Sequence, residues 1–143
     1  MAARGGGGQS CSMPGPIAST SLRIFLADDS ALIRERVAAL LLGAAMTVVG
    51  EAETPQGAID GILRARPDVV VLDVQLDGGT GLQVLRAVRL AAPGIAFVVF
   101  SNNAAPAYRK RYLGEGAAMF LDKSSEFGQL ARAVAEASAA AVH

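Results

Sequence analysis

From residue 22 onward, short runs of apolar residues alternate along the chain with longer stretches in which apolar residues recur every three or four positions. Short apolar runs are typical of buried strands, and the longer spacing is typical of amphipathic helices. The runs predict strands over residues 22–27, 47–51, 69–72, 95–100 and 117–121.

A helix is predicted after each of these strands. Polar cap residues and prolines mark most of the helix starts, because a cap oxygen satisfies free N–H groups and proline needs no partner there. Pro67 ends the second helix. The starting residues are, in order, Ser30, Thr54 with Pro55, Thr80 and Pro106, and the apolar positions of the last helix are Phe127, Leu130, Val134 and Ala141.

Five strand–helix pairs joined by connections of two to six residues predict an α/β domain with a parallel sheet. The third run, residues 69–72, is apolar on both faces, as a central parallel strand must be. Right-handed crossovers and the common order for five strands favour a doubly wound sheet of order 2-1-3-4-5. Because the fifth helix reaches the C-terminus, we expect no second domain.

The first 20 residues have a different composition, with four consecutive glycines and two prolines. Such a segment buries too little apolar surface to offset its ordering entropy. We therefore expect a disordered tail over residues 1–20, containing Cys11 as an incidental thiol, and one folded domain over residues 21–143. A signal-peptide apolar stretch and a membrane-length apolar run are both missing, which favours a cytoplasmic protein without membrane insertion.

Composition and charge exclude several functional classes. Thirteen Lys and Arg balance 13 Asp and Glu in 143 residues, which argues against a nucleic-acid-binding protein. The single cysteine excludes an internal disulfide and a thiolate zinc site. The only histidine, His143, is the last residue, where chains fray, so a catalytic Ser-His-Asp or Cys-His arrangement is not expected.

Side chains that break the apolar pattern follow four of the predicted strands. Asp28 and Asp29 follow the first strand, and Asp73 follows the third; Ser101 and Lys123 follow the fourth and fifth. Each Asp alone is typical of a turn or cap, but ligands of doubly wound sheets bind at this edge. Three carboxylates brought together there repel each other unless a cation lies among them, and an oxygen-only ligand set suits Mg²⁺.

This combination resembles the receiver domain of bacterial two-component response regulators, over about residues 22–142. The matching segments are residues 24–30 (IFLADDS), 69–76 (VVVLDVQL), 78–81 (GGTG), 98–101 (VVFS) and 116–123 (GAAMFLDK). Each segment alone is weak, but their order and separation along the chain agree with the family. The resemblance therefore predicts a flavodoxin-like receiver fold.

The resemblance implies a phosphorylation site and a metal site. Asp73 is expected to accept a phosphoryl group from a histidine kinase or a histidine phosphotransfer protein. Mg²⁺ is expected to bind Asp29 directly and Asp28 through water, and Asp73 and the backbone carbonyl of Gln75 are the other expected members of the metal site. A carboxylate can carry a phosphoryl group as an acyl phosphate, and its transfer needs mainly positioning and charge neutralisation.

The resemblance also implies how the signal leaves the site. Ser101 and Lys123 are expected to contact the phosphoryl oxygens, and Ser101 and Phe120 to act as a switch, although Phe120 fits equally well as a core residue. An unknown protein partner is expected at helix 4, strand 5 and helix 5.

Two positions depart from the pattern of many receivers. Where many receivers have proline, Ser124 follows Lys123, so we expect a trans peptide bond between residues 123 and 124. Asn102 replaces a smaller residue and is expected to narrow access to Asp73.

Several functions remain open at this point. The leading interpretation is a stand-alone receiver, a binding module and not an enzyme, which signals by protein–protein interaction. A phosphate sink or shuttle in a phosphorelay and a receiver-like module that works without phosphorylation are the alternatives. An aspartyl-phosphate phosphatase needs a second Asp where Gln75 stands, and an FMN carrier would find its phosphate repelled by Asp28 and Asp29.

Overall fold

The computed structural model describes residues 21–141 and contains one five-stranded parallel sheet with a helix after each strand. The strands are β1 (Arg23–Ala27), β2 (Thr47–Ala52), β3 (Val69–Leu72), β4 (Ala96–Ser101) and β5 (Met119–Asp122). The helices are α1 (Ala31–Gly43), α2 (Pro55–Ala65), α3 (Gly81–Ala91), α4 (Pro106–Gly114) and α5 (Leu130–Ala141). The predicted tail with Cys11, and His143, lie outside the described residues.

The strand order is β2-β1-β3-β4-β5, which confirms the predicted doubly wound sheet. The register pairs Ala27 with Leu72, so Asp28 and Asp73 each come one residue after neighbouring strand ends. Ser101 pairs with Asp122 at the same edge. The polar residues after β1, β3, β4 and β5 therefore share one end of the sheet.

Apolar layers cover both faces of the sheet. In β3, Val70 and Leu72 point into the layer under α2, α3 and α4, whereas Val69 and Val71 point into the layer under α1 and α5. All four side chains are buried, which explains why this run is apolar without alternation. The two layers hold the sheet rigid, so that loops at its edge are carried on a fixed frame.

The caps predicted for the first three helices are confirmed. Ser30 Oγ accepts a hydrogen bond from the Ile33 N–H at 3.2 Å, and Thr54 Oγ1 accepts one from the Gly57 N–H at 3.1 Å. Thr80 is the N-cap of α3, where its backbone N–H donates to the side chain of Gln83 at 2.8 Å. These bonds satisfy N–H groups that have no partner inside the helix.

The ends of β1, β2 and β4 differ from the prediction by a single residue, and three other features differ by more. The β3–α3 connection is longer than six residues because Gln75–Leu76 and Gly79–Thr80 pair as a small antiparallel hairpin, with Gly78 at φ 84°. β5 begins at Met119 and not at residue 117, since the Ala117 N–H still bonds to the Tyr112 carbonyl at 3.0 Å. Phe127 lies in a 3-10 turn that precedes α5, so the fifth helix starts three residues later than its apolar pattern indicated.

Two further expectations concern the backbone and the membrane. The peptide bond at 123–124 is trans, and no cis bond occurs among residues 21–141. No helix in this range has the length and apolar character needed to cross a lipid bilayer.

Candidate functional site

Three carboxylates meet where β1 and β3 end. One carboxylate oxygen each of Asp28, Asp29 and Asp73 lies within 4.8 Å of the others. Asp28 and Asp73 are buried, with only 7% and 8% of their surface exposed, whereas Asp29 is exposed. The Ser30 N–H donates to Asp28 Oδ1 at 2.9 Å, which couples the start of α1 to the acidic cluster.

Lys123 reaches into this cluster from the end of β5. Its ammonium group donates to Asp28 Oδ2 at 2.6 Å and to Asp73 Oδ2 at 3.1 Å, and the residue is 8% exposed. Like charges so close are tolerated only with compensation, and Lys123 supplies one positive charge against three carboxylates. The remaining negative charge and the oxygen-only donors fit a hard divalent cation such as Mg²⁺.

The pKa of Asp73 reflects these surroundings. Burial raises the pKa of this carboxyl above its ordinary value, Lys123 lowers it, and the negative charge of Asp28 raises it again. The Val74 N–H donates to Asp73 Oδ1 at 2.7 Å and favours the charged form. The net effect is a raised pKa, because burial disfavours the charged carboxylate more than Lys123 and the Val74 N–H favour it.

Asp73 faces an opening of about 300 Å³ at this edge of the sheet. Asp29, Gln75 and Asn102 also line the opening, together with Val74, Ser101 and Asn103. The Ser101 hydroxyl accepts a hydrogen bond from the Asn103 N–H at 3.0 Å, which shapes the loop after β4. The structure thus brings every predicted site residue except Phe120 to one place.

Gly81 allows the loop after Asp73 to close tightly. Its N–H donates to the Val74 carbonyl at 2.8 Å, and a Cβ atom at this position would collide with the backbone oxygen of Asp73. Since that oxygen belongs to the main chain, no side-chain rotation relieves the collision. A glycine here is therefore required by the position of Asp73.

Phe120 lies beside the site on β5 and is held by two residues of α4. Its ring is 4% exposed, meets the Tyr112 ring edge-on at 6.1 Å between centroids, and lies 5.1 Å under the Arg109 guanidinium. Arg109 also donates to the Phe120 carbonyl at 2.7 Å, and the Tyr112 hydroxyl donates to the Val74 carbonyl at 3.4 Å. These contacts connect the loop after Asp73 to α4 and β5.

Sequence reasoning missed two arginines that support this region. The sequence does not indicate that Arg109 of α4 contacts Phe120 of β5. Arg34 donates to the backbone carbonyl of Asp28 at 2.5 Å, directly behind the acidic cluster. The sequence contains one indication of this role. Arg34 lies in the second turn of a helix that is otherwise predicted to pack through apolar residues.

Comparison with known proteins gives a consistent assignment. Residues 24–135 match the model of the response regulator receiver domain. The chain is 32% identical over 114 residues to the transcriptional regulatory protein DesR of Bacillus subtilis, covering 79% of this chain and 56% of DesR. It is 37% identical over 114 residues to the probable transcriptional regulatory protein NarL of Mycobacterium tuberculosis, covering 79% and 53% of the two chains.

Solved structures agree. The signal receiver domain of the putative response regulator NarL from Mycobacterium tuberculosis superimposes with a TM-score of 0.78 at 34% identity, covering 83% of this chain and 97% of that one. A LuxR-family two-component response regulator from Aurantimonas gives a TM-score of 0.80 at 27% identity, covering 85% and 87%.

The chain spans about half the length of the curated relatives it matches. The expectation of a receiver that acts alone therefore stays a prediction, and the transcriptional roles in those names belong to the relatives. The order of the sheet, the grouped acidic residues and the family match all lead to the same assignment. The chain belongs to the response regulator receiver domain family.

Proposed function

We propose that this chain receives a phosphoryl group on Asp73 and passes the signal on through its surface. The observation that carries the proposal is that Asp73 faces a small opening while its carboxylate contacts the buried ammonium of Lys123 and lies beside Asp28 and Asp29. A phosphohistidine of a kinase or phosphotransfer protein is the proposed donor. This is a binding module whose only chemistry is its own phosphorylation.

The step is a simple exchange of bonds. A carboxylate oxygen of Asp73 forms a bond to phosphorus as the bond from phosphorus to the histidine nitrogen breaks, and the nitrogen keeps the electron pair. Lys123 and Ser101 lie at the same edge of the sheet, and their proposed roles are to neutralise and to hydrogen-bond the phosphoryl oxygens.

Mg²⁺ is the proposed cofactor. Asp28, Asp29, Asp73 and the backbone carbonyl of Gln75 would hold it at the acidic edge. When bound, the ion supplies positive charge beside the phosphoryl oxygens. Compact oxygen ligands with surplus negative charge are what this ion selects.

Intact mass spectrometry after incubation with acetyl phosphate tests the proposed function. With millimolar Mg²⁺ the mass is expected to rise by one phosphate, about 80 Da, because Asp73 is the one proposed acceptor. With EDTA the mass is expected to stay unchanged. An equal gain of mass with Mg²⁺ and with EDTA would contradict the proposal.

Mg²⁺ is expected to raise the melting temperature of the unphosphorylated protein. A ligand that binds only the folded state stabilises it by mass action, and here the ion also relieves repulsion among the three carboxylates. Asp29→Ala is expected to remove this response. Asp77→Ala is the matched control, because Asp77 is an exposed acidic residue of the neighbouring loop. No thermal response of the wild type up to tens of millimolar Mg²⁺ would refute the metal site.

The proposed output surface is formed by α4, β5 and α5. The phosphorylated Asp73 side chain would carry nearly two negative charges, about one more than the free carboxylate, and Ser101 is proposed to move toward it, leaving space that Phe120 then enters. Because Arg109 and Tyr112 of α4 hold Phe120, a shift of this ring changes α4. A partner that binds the two states differently by about 1–3 kcal/mol would distinguish them roughly 5–150-fold.

Amide NMR with beryllofluoride, a phosphoryl mimic, tests this surface. We expect shifts in the loops around Asp29, Asp73 and Lys123 and also along α4 and α5. Shifts confined to those loops would contradict the output surface and favour a phosphate sink, in which Asp73 drains a kinase without changing a binding face. The cytoplasm is the proposed compartment.

A further inference from the structure

We propose that Arg34 is a positioning residue that holds the Asp28–Asp29 peptide unit and so sets Asp29 for the metal ion. This inference rests on the proposed function, because it assigns a second residue to the same Mg²⁺ site. Arg34 lies in the second turn of α1 and its side chain is only 15% exposed.

The guanidinium group of Arg34 binds the main chain beside the acidic cluster. One nitrogen of Arg34, Nη1, donates to the backbone carbonyl of Asp28 at 2.5 Å. That carbonyl belongs to the peptide unit that joins Asp28 to Asp29. The Asp28 N–H donates to the Ala52 carbonyl at 3.0 Å, so the backbone of Asp28 is held from both sides.

The carboxylates of Asp28 and Asp29 are held differently. The carboxylate of Asp28 is fixed by the Ser30 N–H and by Lys123. Within residues 21–141, no hydrogen bond to the exposed carboxylate of Asp29 is found. The direction of the Asp29 side chain therefore depends on its backbone, and the peptide plane before it is the plane that Arg34 holds.

The positive charge of Arg34 is compensated by neighbouring acids. A cation beside a metal site normally weakens metal binding, since like charges repel. Arg34 is accompanied by two acids at the end of β2: its Nε donates to Glu51 Oε1 at 2.9 Å, and its Nη1 lies 3.9 Å from Glu53 Oε2. These acids offset the positive charge of Arg34. Its contribution to the site is therefore the hydrogen bond to the Asp28 carbonyl and not its charge.

Mg²⁺ titration of the full chain, followed by amide NMR, tests the inference. Arg34→Met keeps most of the apolar stem and removes the hydrogen bonds; it is expected to raise the Mg²⁺ dissociation constant about tenfold or more, the usual effect of losing a residue that orients metal ligands. Arg34→Lys keeps the charge and one donor and is expected to recover part of the affinity. Arg36→Met is the matched control, because Arg36 lies on the same helix over the Phe127 ring, away from the acids.

The sign of the change separates the explanations. A purely electrostatic role would tighten Mg²⁺ binding when the charge is removed, and a purely structural role would lower stability in denaturant without changing the dissociation constant. Either result in Arg34→Met would overturn the inference. If that variant does not fold, an unchanged dissociation constant in Arg34→Lys would overturn it. A wild type that binds no Mg²⁺ would overturn the proposed metal site together with this inference, whereas equal binding by wild type and variant would overturn the inference alone.

Discussion

Asp73→Asn is expected to leave the protein folded and to abolish its phosphorylation. An amide cannot form the acyl phosphate, because its nitrogen and carbonyl oxygen are poor nucleophiles compared with a carboxylate. The change is nearly isosteric, so the Val74 N–H at 2.7 Å keeps an oxygen acceptor. Mass spectrometry after acetyl phosphate and Mg²⁺ treatment is expected to show no added phosphate. Asp77→Asn, in an exposed acidic residue of the neighbouring loop, is expected to be phosphorylated like the wild type.

The same substitution is expected to change how stability depends on pH. Because burial raises the pKa of Asp73 in the folded protein, the folded chain keeps a proton over a pH interval in which the unfolded chain has lost it. The free energy of unfolding contributed by Asp73 therefore falls as the pH rises through that interval, and Asp73→Asn lacks this fall. Urea unfolding of the wild type and the variant from about pH 4 upward measures how the free energy of unfolding depends on pH. A variant that loses stability faster than wild type over this range would contradict the interpretation.

Lys123→Met is expected to destabilise the metal-free protein by about 3–5 kcal/mol, the usual cost of removing one partner of a buried ion pair. Its ammonium contacts both Asp28 and Asp73, which are themselves buried, so its loss leaves two carboxylates without a counter-charge. Added Mg²⁺ is expected to recover part of the lost stability by replacing that positive charge. Urea unfolding with and without Mg²⁺ provides the measurement.

Phosphorylation of this variant is expected to slow as well. A donor that stabilises developing charge in a transfer step is typically worth about 10²–10³ in rate, and Lys123 is the charged donor beside Asp73. Lys110→Met is the matched control, because Lys110 is the only other lysine of the chain and lies exposed on α4. Equal rates of phosphorylation in the two variants would remove Lys123 from the proposed chemistry.

Much of the fold was predictable because it depends on local patterns. The apolar run of β3 identified a central strand, and the caps Ser30 and Thr54 marked helix starts, since each acts within four residues along the chain. Boundaries were less predictable. The hairpin after Asp73 is stabilised by pairing between short segments, and the turn before α5 is stabilised by packing of Phe127 against Phe100, 5.3 Å between ring centroids.

The candidate site was predictable where charged residues follow the ends of apolar strands, as at Asp28, Asp73 and Lys123. Its supporting contacts were not, because they join residues far apart in sequence whose side chains have several ordinary roles. An arginine in a helix is commonly a solvated charge, and only the packing of α1 on the end of β2 shows that Arg34 holds a backbone carbonyl. Likewise, the position of Arg109 over Phe120 depends on how α4 packs against β5.

The most direct test of the central claim locates the phosphate on the chain. Borohydride reduces an acyl phosphate to the alcohol and releases phosphate, which marks the modified residue permanently. Trypsin then separates the peptide covering residues 65–86 from the one covering residues 24–34, and fragmentation distinguishes Asp68, Asp73 and Asp77 within the first. The account predicts that the reduced residue is Asp73, only in samples phosphorylated with Mg²⁺ present. A reduced residue at Asp28 or Asp29 would contradict it.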